Sequence, residues 1–154
     1  MSPRPTRILT IDDEDLVREI LTAYLEDSGF EVIQAGDGRT GIDLIGREQP
    51  DLVLCDLRMP GMDGLQVIAT VTRDFPELPI LVVSGMGGIN DAIQALKLGA
   101  WDYVTKPIED MAVLEHAINH ALERARLRRE NREHREHLEV VNEQLRQTLR
   151  RLQE

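Results

Sequence analysis

A single cysteine, Cys55, stands in the 154 residues. It excludes an intrachain disulfide and any CxxC metal or redox site, and it points to a reducing, cytoplasmic setting. No apolar run approaches the roughly 18 residues that a membrane span needs. The opening Met1-Ser-Pro-Arg-Pro lacks the apolar stretch of a secretory signal. Positive charge is also short: the formal net charge is −10. Residues 1–108 hold nine Lys and Arg against eighteen Asp and Glu, and residues 109–154 hold nine Arg against ten acids. The first part should repel nucleic acid and attract cations. Glycine and proline are missing altogether from Glu109 to Glu154.

What is present alternates. Short apolar runs occur at 8–11, 32–33, 52–55, 80–83 and 103–104. Between them lie helical spacings: Leu16, Val17, Ile20, Leu21, Tyr24 and Leu25 on one face, then Leu65, Ile68 and Val71, then Ile89, Ala92, Ile93 and Leu96. Gly29 and Gly99 read as helix stops. Strands alternating with helices predict βαβ units and a parallel sheet. Runs 52–55 and 80–83 are apolar at every position, as strands covered on both faces should be. The expectation is an α/β, doubly wound fold of about five strands and five helices. The stretch from Glu109 is rich in helix formers and, unbroken, would reach roughly 69 Å at 1.5 Å per residue. Leu114, Ala117, Ile118, Ala121 and Leu122 should pack on the sheet. Beyond Arg124 the apolar face narrows to a seam. The expected boundaries are 1–124 for a globular domain and 125–154 for a coiled-coil extension.

The ends of the strands carry the chemistry. Asp12 and Asp13 follow the first, Asp56 the third, Ser84 the fourth, and Lys106-Pro107 the fifth. In a doubly wound sheet, ligands bind at the carboxyl ends near the switch in strand order, and an order of 2-1-3-4-5 would gather these residues. Three carboxylates together call for a hard divalent cation, with Mg²⁺ favoured by few protein ligands and room for water. Asp56 can act as a carboxylate nucleophile, while Ser84 and Lys106 can engage phosphoryl oxygens. Taken singly, Asp12 and Asp13 read as helix caps, Ser84 as a turn residue and Lys106 as a solvated lysine. Taken together they read as a phosphoryl-transfer site. Cys55 reads as a small buried hydrophobe and Trp101 as packing. His116 and His120 are spaced i, i+4, but Ala117 stands where a metalloprotease helix needs Glu, so they read as a solvated face, as do His134 and His137.

These residues resemble a known family. Asp12-Asp13, Asp56 with Met59-Pro60 and Asp63-Gly64, Ser84-Gly85 and Lys106-Pro107 look like the receiver domain of bacterial two-component response regulators, over roughly residues 5–124. The resemblance implies a flavodoxin-like fold and phosphorylation of Asp56 by a sensor histidine kinase. It implies Mg²⁺ held by Asp13, Asp56 and the backbone carbonyl of Arg58, with Asp12 acting mostly through water. Ser84 and Tyr103 would be a coupled switch pair, with Tyr103 turning inward, and the Lys106–Pro107 bond would be cis. Arg58 and Gly85 depart from the commoner pattern. The run from Lys106 to His116 and the Arg/Glu helix after it resemble RssB-type regulators. In that group the receiver regulates a general-stress sigma factor, and in some members a coiled coil leads to a PPM-type phosphatase domain.

Leu138, Leu145 and Leu152 recur at seven, the sign of a coiled coil. One register runs Leu127, Asn131, His134, Leu138, Val141, Leu145, Thr148, Leu152. The other runs Leu138, Asn142, Leu145, Leu149, Leu152. Either seats an Asn at an a position, which favours a parallel homodimer. The pattern is still running at Leu152-Gln-Glu with no stop signal, as expected of a piece of a longer chain. Two competing readings stand beside the signalling module. One is an aspartate-nucleophile phosphohydrolase of the haloacid-dehalogenase type, which needs an Asp where Arg58 stands. The other is a basic-zipper DNA-binding dimer using the arginines from Arg124 to Arg135, which Glu130 and Glu133 interrupt. The expectation is therefore a non-enzymatic module, with no membrane and no nucleic-acid partner.

Overall fold

The computed structural model describes residues 4–85, 88–106 and 110–153. Five strands, β1 (Arg7–Ile11), β2 (Glu31–Ala35), β3 (Leu52–Cys55), β4 (Ile80–Ser84) and β5 (Asp102–Thr105), form one parallel sheet in the order 2-1-3-4-5. Between and after them come α1 (Asp15–Asp27), α2 (Gly38–Glu48), α3 (Gly64–Asp74), α4 (Ile89–Leu98) and α5 (Met111–Gln153). The expected fold class and strand order are both observed.

Strand alternation sorts the core into two layers. Leu9, Ile11, Val53, Cys55, Ile80 and Val82 point to one face, where Ile45 of α2, Val67, Ile68 and Val71 of α3 and Ala95 of α4 cover them. Ile8, Leu52, Leu54, Leu81, Val83 and Val104 point to the other, under Leu21 and Leu25 of α1 and Leu114, Ala117, Ile118 and Ala121 of α5. All four residues of β3 and all five of β4 are buried, as their uninterrupted apolar runs predict. Tyr24 Oη donates to Glu115 Oε2 at 2.7 Å, tying α1 to α5 across that layer.

Two predicted faces are corrected. On α1, Leu16 and Ile20 are exposed and only Leu21 and Leu25 are fully buried. On α4, Ile89, Ile93 and Leu96 are exposed and Ala95 alone is buried. In both helices the apolar stripe is wider than the strip of sheet beneath it, so one edge stays in water. Gly99 ends α4 at φ +123°, and a Cβ there would fall 2.1 Å from Thr72 Oγ1, so the stop is also a close packing point.

The helix α5 runs 43 residues, about 65 Å at 1.5 Å per residue. It starts at the carboxyl end of the sheet and passes back down the second layer. Its last buried residue is Ala125. Near the opposite pole, Arg124 and Arg128 lie over the ring of Trp101 at 5.1 and 4.7 Å, and Arg132 pairs with Glu77. From there on the helix carries its apolar residues in water. Among the described residues, no helix is long and apolar enough to cross a membrane.

Candidate functional site

Backbone bonds between neighbouring strands assemble the site at the carboxyl end of the sheet. The N–H of Asp56 donates to the carbonyl of Ile11 at 2.9 Å, which sets the residue after β3 beside the residue after β1. The N–H of Asp12 donates to Ala35 at 3.1 Å, and that of Lys106 donates to Ser84 at 3.0 Å. The loop after Asp56 is held by Gly64. Its N–H donates to Leu57 at 2.9 Å, and a Cβ at this position would fall 2.2 Å from the Asp56 carbonyl oxygen. Only glycine lets the first turn of α3 lie this close to the acceptor's backbone. Asp63 caps that helix, accepting from Gln66 N while the Gln66 side chain accepts from Asp63 N.

The side chains converge as the strand ends suggest. Asp12 and Asp56 are buried, yet both are acids. Lys106 Nζ stands 2.8 Å from Asp12 Oδ2 and 3.4 Å from Asp56 Oδ2. Burial works against the Lys106 ammonium, but the hydrogen bond and charge of Asp12, followed by Asp56, outweigh it and hold its pKa above the usual lysine value. Asp12, Asp13, Glu14 and Asp56 each offer a carboxylate oxygen, all within 4.8 Å of one another. Such an all-oxygen donor set, with more negative charge than the ammonium offsets, fits a hard divalent cation. Glu14 is the member that sequence reasoning missed; the only signal was its place directly after Asp12-Asp13.

Helix capping is not what the paired aspartates do. The N-cap of α1 is Glu14, and no side chain caps it. Asp12 Oδ1 instead accepts from Glu14 N at 3.0 Å, and the Asp12 carbonyl accepts from Arg18. Ser84 is the last residue of β4, is 1% exposed and lies in register with Thr105, one residue before Lys106. The Tyr103 ring already packs inward, against the layer that contains Ala95 and Ala100. Its hydroxyl is buried with no hydrogen-bond partner among the described residues. Arg58 N lies 3.4 Å from Asp56 Oδ1, and the Arg58 guanidinium reaches across to Asp91 in the first turn of α4 at 2.8 Å. Pro107, and with it the expected cis bond, lies outside the described residues.

Cys55 is fully enclosed next to the acceptor. Burial pushes its thiol pKa far up, and the charges of Asp56, Asp12 and Asp63 push it further. His116 and His120 stack with ring centroids 6.4 Å apart on an exposed face. Four of the six arginines from Arg124 to Arg135 are engaged on the protein itself: Arg124 and Arg128 on Trp101, Arg126 with Glu123 and Glu130, and Arg132 with Glu77.

The response regulator receiver domain family matches residues 8–119. The transcriptional regulatory protein GlrR of Escherichia coli (strain K12) is 36% identical over 125 residues, which are 81% of this chain and 28% of that protein. The regulatory protein AtoC of the same strain is 36% identical over 126 residues, 82% of this chain and 27% of its own length. The chain thus spans little more than a quarter of these curated relatives. Among solved structures, a response regulator receiver domain protein from Clostridium thermocellum superposes with a TM-score of 0.75 at 31% identity, covering 79% of this chain and 98% of that one.

Proposed function

The chain belongs to the response regulator receiver domain family, and on that premise we propose that Asp56 is its phosphoryl acceptor, charged by a sensor histidine kinase. The observation that carries this reading is the site itself: a buried carboxylate at the end of the central strand, with an ammonium 3.4 Å away and three further acids within 4.8 Å. In the step, an Asp56 carboxylate oxygen attacks phosphorus. The bond from phosphorus to the kinase imidazole nitrogen breaks, and that nitrogen keeps the electron pair. Asp12, Asp13 and Asp56, with the backbone carbonyl of Arg58, would hold Mg²⁺. When bound, the ion supplies positive charge that offsets the gathered carboxylates and the phosphoryl oxygens. Lys106 neutralises a further oxygen and keeps Asp12 and Asp56 in place.

Ser84 and Tyr103 then act as the switch. Both stand at or near the ends of adjacent strands, and Tyr103 keeps a buried hydroxyl without a partner, a group that gains by any rearrangement that satisfies it. The readout surface comprises α4, β5 and the start of α5. The helix beyond residue 124 serves as a parallel dimer element and a linker to an output. Its 27 exposed described positions, with the leucine seam they carry, support that role, and the run from Lys106 to His116 supports an RssB-type, sigma-factor-regulating output. A phosphohydrolase reading gains nothing from the geometry, because the residue two beyond Asp56 is Arg58, bound to Asp91.

Incubation with a small acyl or amido phosphodonor and Mg²⁺ should add one phosphoryl group per chain, labile to base. Asp56→Asn should abolish the addition. Undiminished labelling of that variant would place the acceptor elsewhere.

A further inference from the structure

Arg18 stands one turn into α1. Resting on the reading that Asp12, Asp13 and Asp56 hold Mg²⁺, we propose that Arg18 is a positioning residue for that cation: it sets the loop that carries Asp12 and Asp13. Its guanidinium reaches three acceptors and uses a different nitrogen for each. Nη1 donates to the backbone carbonyl of Asp12, Nε donates to Gln34 Oε1 at 3.3 Å, and Nη2 donates to Asp15 Oδ1.

The first of these bonds matters most. The Asp12 carbonyl and the Asp13 N–H belong to one rigid peptide plane. Holding that carbonyl fixes the plane from which Asp13 departs. The Asp12 side chain has its own partners, accepting from Lys106 Nζ at 2.8 Å and from Glu14 N at 3.0 Å. Asp13 is different. It is exposed, and among the described residues its carboxylate takes no hydrogen bond or ion pair. Its aim is therefore set by the backbone, and Arg18 holds the backbone.

The brace is more than a local ion pair. The Arg18 side chain is 15% exposed against 83% for Asp15, so the bridge within α1 is the solvated, weaker contact. The other two acceptors are neutral and lie outside the helix. Gln34 belongs to β2, and the Ala35 carbonyl of the same strand accepts from Asp12 N at 3.1 Å. The guanidinium also lies against the loop that follows, where a Cβ on Gly36 would stand 3.4 Å from Nη1. The edge strand β2 thus supplies no acid to the site, yet it holds Asp12 at both ends: the N–H through Ala35, and the carbonyl through Gln34 and Arg18.

Charge and geometry pull in opposite directions here, which makes the role separable. A guanidinium beside the acids repels a divalent cation, so on charge alone its removal should tighten Mg²⁺ binding. As a brace, its removal should loosen binding, because groups that orient metal ligands are worth about tenfold or more in affinity. Lysine would keep the charge but replace a planar fork with a single point of attachment.

The test is titration calorimetry of the full chain with Mg²⁺ alone, beside the metal-free melting temperature. Arg18→Met should raise the Mg²⁺ dissociation constant about tenfold. Arg18→Lys, and Gln34→Ala at its exposed position, should raise it less. Tighter binding by Arg18→Met would reduce Arg18 to its charge, and unchanged binding with a lowered melting temperature would reduce it to a fold contact; either overturns the proposal. Should Arg18→Met not fold, Gln34→Ala decides, because it keeps the guanidinium and removes one acceptor: an affinity equal to the unsubstituted chain's would overturn the brace. In labelling by a small phosphodonor, Arg18→Met should raise the Mg²⁺ concentration for half-maximal rate by a larger factor than it lowers the saturating rate. A lowered saturating rate with an unmoved midpoint would overturn the proposal. Absence of Mg²⁺ binding by the unsubstituted chain would remove the cation reading and the brace with it, a failure distinct from unsubstituted chain and variants binding alike.

Discussion

Two of the clusters in which acid meets base in this molecule, one around Lys106 and one around Arg126, have little in common. Around Lys106, the side chains of the lysine, Asp12 and Asp56 are 15%, 5% and 7% exposed. Around Arg126, the arginine, Glu123 and Glu130 are each more than half exposed. The first cluster draws its members from β1, β3 and β5 and is held by backbone bonds between strands. The second is local to one helix and held only by itself. The same chemistry is a site in one place and a solvated surface in the other, because burial sets what an uncompensated charge costs.

Removing a partner sharpens that contrast. Lys106→Met should lower the unfolding free energy by about 3 kcal/mol, the scale for leaving buried charge unpaired. Chemical denaturation should show the loss, and added Mg²⁺ should return part of it. Asp13→Asn should act in the opposite direction. Relieving like-charge repulsion should raise the metal-free melting temperature by about 2 °C and remove most of the stabilisation by Mg²⁺. A melting temperature unmoved by Mg²⁺ in the unsubstituted chain would break the argument for a cation site.

Proton linkage gives a smaller effect with a definite sign. The Lys106 pKa is raised in the folded protein. Its contribution is therefore complete below the unfolded lysine value, about 10.4, and is lost as pH rises through the higher folded value. The stability gap between the unsubstituted chain and Lys106→Met should stay constant from neutral to mildly alkaline pH and close only above that value. A gap that narrows already at neutral pH would mean the ammonium is not held by Asp12 and Asp56. Arg126→Ala should leave the melting temperature of the receiver where it is. Least visible of all, Cys55 should resist thiol reagents until the chain unfolds.

The sheet was legible in the sequence because every strand has an apolar run and four of the five, all but β2, also carry a polar residue at the end. Asp12, Asp56, Ser84 and Lys106 could be placed in one site because parallel strands deliver their carboxyl ends to one side. Less visible was anything that depends on how far a helix rolls on the sheet. Apolar spacing in α1 and α4 reported a stripe, but not that Leu16, Ile20, Ile89 and Ile93 lie beyond the covered strip. The helix α2 offered a weak signal, since three glycines interrupt it; Gly41 is there because a Cβ would fall 2.4 Å from Ile11 Cδ1. The Arg58–Asp91 pair joins residues 33 apart, and the Trp101 stack joins a loop to a helix; neither contact has a local pattern to read.

The most direct test is intact-mass spectrometry after treatment with a small phosphodonor, over a titration of Mg²⁺. The account predicts a single phosphoryl adduct that maps to Asp56, rises with Mg²⁺ to saturation, and is lost in both Asp56→Asn and Asp12→Asn/Asp13→Asn. An adduct that forms equally without the ion, or that survives loss of Asp12 and Asp13, would contradict it.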